Sequence, residues 1–116
     1  MRRQLFAFAA TAGAVVLIAT PAFARSSTVP YEVTVTITNS SCTLDHPVAP
    51  QSLILWHIIS NGTYSHQFKI YGSSSGIIKA GQTGVFKIKF RPGPSSYTYT
   101  CWNSHAFLKR GVFRIR

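Results

Sequence analysis

The sequence predicts an all-β fold of about seven or eight short strands. Three observations predict it. Apolar and polar residues alternate with a period of two over most of the chain beyond residue 24, turn residues fall between the alternating stretches, and no stretch there carries a helical period. Short strands in such a series imply an antiparallel sandwich or barrel.

The elements follow in order. In Tyr31 to Thr38, Val33, Val35 and Ile37 face one way and Thr34, Thr36 and Thr38 the other. Residues 39–51, with Asn, Ser and two prolines, read as a loop or a short irregular strand. Ser52 to Ser60 is apolar on both faces, as a central strand would be. Asn61-Gly62 marks a turn, and His66 to Tyr71 alternates again with His66, Phe68 and Ile70 on one side. Gly72 to Gly76 is a Ser/Gly loop, and Lys79-Ala80-Gly81-Gln82 is a turn. Thr83 to Arg91 sends Phe86, Ile88 and Phe90 inward and Lys87, Lys89 and Arg91 to water. Pro92-Gly93-Pro94 turns the chain. Tyr97, Tyr99 and Cys101 then share a face, and Val112 to Ile115 closes the sequence.

Residues 1–24 read as a secretory signal. Arg2 and Arg3 form its basic start, Leu5 to Ile18 its apolar run, and Ala22-Phe23-Ala24 a small-x-small cleavage site behind Pro21. The run is shorter than the ~20 residues a membrane span needs. The mature domain is expected to begin at Arg25 and to occupy residues 25–116, in the periplasm or outside the cell.

With 116 residues and 46% hydrophobic content, the chain can bury one small core. Twelve Lys and Arg stand against two acidic residues, for a net charge of +10. Two carboxylates exclude an EF-hand and a two-carboxylate glycosidase site. The basic balance favours an acidic protein partner or peripheral contact with an anionic membrane. Nucleic acid is not expected, because an exported protein rarely meets it.

The candidate chemistry lies in two cysteines and four histidines. Cys101-Trp102-Asn103-Ser104-His105 places a thiol and an imidazole on a tight loop after a strand, and His66 sits in another strand. One thiolate with two imidazoles is the trigonal set that suits copper. A Cys-His nucleophile pair could be drawn from Cys101 and His105, but no acid lies near in sequence to orient it, so an enzyme is not expected.

In these residues the chain resembles the cupredoxins, the plastocyanin-like small blue copper proteins, from Val33 to Ile115. The matching stretches are Asn61-Gly62-Thr63-Tyr64-Ser65-His66-Gln67-Phe68, the turn Ala80-Gly81-Gln82, and the strand from Pro94 through Tyr97 and Tyr99 to Cys101. The resemblance implies a Greek-key β-sandwich holding one type 1-like copper ion on His66, Cys101 and His105. The function it implies is one-electron transfer between redox partners, by a protein expected to be monomeric, with an acidic redox protein as partner.

The chain departs from that family twice. The axial Met is missing: after His105 the sequence runs Ala106-Phe107-Leu108-Lys109-Arg110-Gly111, with Gly111 matching the family's last glycine and Lys109 nearest the Met position. The second departure is Cys42. A Cys42–Cys101 disulfide, natural in an oxidising compartment, would remove the thiolate copper needs and leave a metal-free binding or structural module. A free Cys42 filling the core is the other ordinary reading.

Two further arrangements stay open. Copper storage or delivery without electron transfer is one. A structural zinc ion on Cys42, His46, Cys101 and His105, from the repeated C-x3-H spacing, is the other. Among the remaining residues, His57 shares a face with Leu55 and Ile59 and is expected to point into the core, and His46 reads as exposed. Trp56 and Trp102 read as apolar fillers, with Trp102 also placed to shield a metal. Asn61 reads as a turn residue.

Overall fold

The computed structural model describes residues 29–116. The expected signal, residues 1–24, lies outside them. Among the described residues there is no helix; nine strands build two sheets. They are β1 (Tyr31–Ile37), β2 (Cys42–Leu44), β3 (Val48–Ala49), β4 (Leu53–Ser60), β5 (His66–Ile70), β6 (Ser73–Ser74), β7 (Thr83–Lys89), β8 (Ser95–Asn103) and β9 (Phe107–Ile115). The four-stranded sheet has the order β2-β1-β4-β7 and the five-stranded sheet the order β3-β9-β8-β5-β6, giving an all-β sandwich.

Both sheets are mixed, where antiparallel pairing was expected. β1 runs parallel to β4, and β3 parallel to β9. The cause is the segment after β1: it turns back as β2 and crosses as β3 to the other sheet, so β4 enters beside β1 in the same direction. Residues 39–51 therefore contain two short strands, and β6 lies within the Ser/Gly loop.

Alternation fixes the core. Val33, Val35 and Ile37 of β1, Ile54, Trp56 and Ile58 of β4, Phe68 and Ile70 of β5, and Tyr97, Tyr99 and Cys101 of β8 are all buried. Trp56 sits at the centre. From the four-stranded sheet its ring reaches across to Phe68 (5.0 Å between centroids) and Phe113 (4.9 Å). Edge-to-face and tilted rings at such distances favour packing beyond the area they bury.

β4 corrects one expectation. Its inward residues are Ile54, Trp56, Ile58 and Ser60, so Leu55, His57 and Ile59 face outward. His57 points away from the core, and its Nε2 lies 3.1 Å from Glu32 Oε1. A strand apolar on both faces does not announce which face is inside. The neighbour decides it, since β1 pairs Val33 with Trp56 and Thr34 with His57.

Candidate functional site

Strand geometry brings His66 and Cys101 to one interior region. β5 and β8 pair so that His66 lies opposite Asn103 and Phe68 opposite Cys101. Both strands turn these residues to the same inner face, where His66 is 1% exposed and Cys101 fully buried. His66 is pinned through its backbone as well, exchanging hydrogen bonds with Ile78 (2.9 Å each).

The sulfur of Cys101 is bonded to Cys42. This disulfide joins β2 of one sheet to β8 of the other, with Cα atoms 6.4 Å apart and a sequence separation of 59 residues. Cys42 is 2% exposed, so the bond is sealed inside the sandwich. Neither cysteine is free. A disulfide sulfur carries no thiolate, the form that binds a metal.

His105 lies elsewhere. β8 continues to Asn103 and β9 resumes at Phe107, so only residues 104–106 connect them. His105 occupies the tip of this hairpin and is exposed. Its ring lies on Tyr64 at 4.2 Å, and its Nδ1 is 3.2 Å from Ser104 Oγ. The segment from Leu108 to Arg110, ahead of the closing strand expected from Val112, is already strand. Lys109, nearest the axial position in the resemblance, is committed too: its Nζ donates to the Cys42 carbonyl at 3.2 Å.

The residues therefore do not fit a copper ion while the disulfide is closed. His66 is the member that keeps an open ring nitrogen inside the sandwich. Its Nδ1 bonds Ser60 Oγ at 2.8 Å, while its Nε2 is buried without a hydrogen-bond partner. Burial lowers its pKa below the ordinary 6.5, with the Thr38 backbone pulling the other way. Among the described residues no group of three His, Cys, Asp or Glu side chains could hold a metal ion. The alternative four-residue set is dispersed as well. His46 is half exposed, with Nδ1 3.1 Å from Asp45 and its ring edge-on to Tyr31.

Two asparagines, neither singled out in the sequence, organise this end of the sandwich. Asn39 Oδ1 accepts from the Thr63 and Tyr64 amides (3.1 and 3.2 Å), while its Nδ2 donates to Thr63 Oγ1. Asn103 Oδ1 accepts from the His105 and Ala106 amides, both at 2.7 Å, and its Nδ2 donates to the Asn39 carbonyl at 3.0 Å. Asn61 contributes its backbone amide to the Ile37 carbonyl. Side-chain amides that satisfy several loop groups at once look, in sequence, like any turn asparagine.

No family model matches the chain, and no curated protein matches it.

Proposed function

We propose that the chain is an exported, metal-free β-sandwich that serves as a binding module, with Cys42–Cys101 as its internal staple. The observation that carries the reading is the buried disulfide between the two sheets. It ties up the sulfur a blue copper site requires, and it suits an oxidising compartment outside the cytoplasm. The reading is non-catalytic: the Cys101 sulfur that a Cys-His pair would use as nucleophile is bonded, and His105 lies at a hairpin tip.

The unpartnered Nε2 of His66 favours a second reading, in which the reduced chain holds copper as an electron carrier or as a storage or delivery protein. His66 and a freed Cys101 would then supply two donors from one inner face, and His105 would have to leave Tyr64 to add a third. Copper bound there would contribute one-electron redox chemistry. Titrating Cu(II) into the oxidised and the reduced protein separates the readings. The binding module stays colourless in both forms. An intense thiolate-to-copper visible band in the reduced form establishes the second reading, and the same band without reductant overturns the first.

A further inference from the structure

We propose that the outer face of the five-stranded sheet binds a linear anionic polysaccharide of the polyuronate class. This deepens the binding-module reading and rests on it.

The face is built by the same alternation that fills the core. Because Tyr97, Tyr99 and Cys101 point in, Ser96, Thr98, Thr100 and Trp102 point out. Register then assembles rows across three strands. Lys69 of β5, Thr100 of β8 and Arg110 of β9 form one row, and Gln67, Trp102 and Phe107 the next. Further along, Thr98 lies beside Val112, and Ser96 beside Arg114.

Charge on this face is of one sign. The chain has only two acidic residues, Glu32 and Asp45. Glu32 lies in β1 and Asp45 directly after β2, both strands of the other sheet, and each carboxylate pairs with a histidine. Lys69, Arg110 and Arg114 thus share a face with no side-chain carboxylate. Two of them lie on aromatic rings instead: Lys69 Nζ is 5.4 Å from the Trp102 centroid, and the Arg110 guanidinium 5.7 Å from that of Phe107. Trp102 and Phe107 meet edge to face at 5.1 Å. Ring contact orients a cation without neutralising it, so the charge stays available to an anion.

The spacing suits a repeating anion. Arg110 and Arg114 lie four residues apart along β9, about 13 Å on one face, with Val112 between them. Lys69 and Arg110 lie two strand intervals apart, about 10 Å. Beside them runs an open groove of about 430 Å³, bordered by Lys69, Tyr71, Ser73, Ser74, Thr98 and Thr100. Five of these carry hydroxyls, and Trp102 Nε1 and Gln67 Nε2 already engage hydroxyls of the same face, Thr100 Oγ1 and Ser74 Oγ. Hydroxyls, side-chain amides and aromatic edges match the hydroxyls and C–H faces of sugar rings, and guanidinium groups match carboxylates in bidentate fashion. A membrane surface calls for apolar residues projecting together. Here exposed Phe107 and Val112 are interleaved along β9 with Arg110 and Arg114, beside a groove bordered by hydroxyls.

The test is calorimetric titration of the disulfide-intact protein with polygalacturonate, with neutral dextran and phosphatidylglycerol vesicles as further arms. Polygalacturonate is expected to bind, more weakly as salt rises, and dextran not to bind. Lys69→Gln with Arg110→Gln should weaken binding at least tenfold, while Lys87→Gln with Lys89→Gln on the other sheet should leave it within twofold. Urea midpoints of both double variants within the range of the parent protein guard against misfolding as the cause of a loss. Absence of polygalacturonate binding overturns the proposal. So does equal weakening by the two lysine/arginine pairs, which would mean attraction to net charge alone, or binding to vesicles only. None of these outcomes touches the copper titration, so this face can fail while the metal-free module stands.

Discussion

The interior end around Cys42, Cys101 and His66 and the outer face of the five-stranded sheet use the same strands to opposite ends. β5 and β8 send His66 and Cys101 inward and Lys69 and Trp102 outward. The inner set carries the residues richest in chemistry, and it is closed: the sulfurs are bonded to each other, and the imidazole is 1% exposed. The outer set holds ordinary strand residues, and it is open and uniformly basic. Reactive residue types mark where chemistry is possible, but exposure and free valence decide whether a partner can reach it.

The largest expected effect tests the inner region. Replacing both cysteines, Cys42→Ala with Cys101→Ala, removes a cross-link between residues separated by 59 positions. On the chain-entropy account this costs about 4 kcal/mol, read as a fall in the urea midpoint with a steeper slope as the unfolded chain expands. The polyuronate face should keep its affinity wherever the variant remains folded. Joint loss of both would show that the two regions are not independent.

Next comes Gly111→Ala. Gly111 lies opposite Tyr99 in the β8–β9 ladder, and an added Cβ would run into the Tyr99 ring, which is 5% exposed. Overpacking of this kind costs about 1–3 kcal/mol by thermal or urea unfolding. A neutral result would mean that the ring has room to yield. Asn103→Ala should cost about 1 kcal/mol, since the amides of His105 and Ala106 lose an acceptor but reach water. Faster amide exchange at residues 104–106, with none at β1, locates the effect.

The smallest effect is a pH dependence. Folded His66 holds a proton less readily than a free imidazole of pKa 6.5, because burial disfavours its charged form. The unfolded chain therefore binds more protons below that pH. The stability this group contributes is whole above about 6.5 and is lost as the pH falls through the folded value. Urea midpoints should fall between pH 7.5 and 5, and His66→Gln should flatten the curve. An unchanged slope in that variant would assign the acid sensitivity to another group.

Much of the fold was legible because burial is one-sided. Val33, Val35 and Ile37, or Tyr97, Tyr99 and Cys101, alternate with polar residues and declare their inner face. Leu53 to Ser60 did not, being apolar on both sides, and His57 turned out to face Glu32. At the site, the sequence placed His66, Phe68 and Ile70 on one side of a strand, and that side is the inner one. It left the partner of Cys101 open, because the distance between two cysteines 59 residues apart depends on how two sheets stack. The position of His105 was hidden for a related reason. Whether residues 104–106 form a tight hairpin or a wider ligand loop depends on how far β8 and β9 zip together, and Asn103 closes that end with its own side chain.

The central claim is that Cys42 and Cys101 are joined to each other in the working protein. Intact mass after alkylation in denaturant without reductant, repeated after reduction in the same denaturant, tests it most directly. The account predicts no adduct in the first experiment and two in the second. Two adducts on the unreduced chain would contradict it and return Cys101 to the pool of metal ligands.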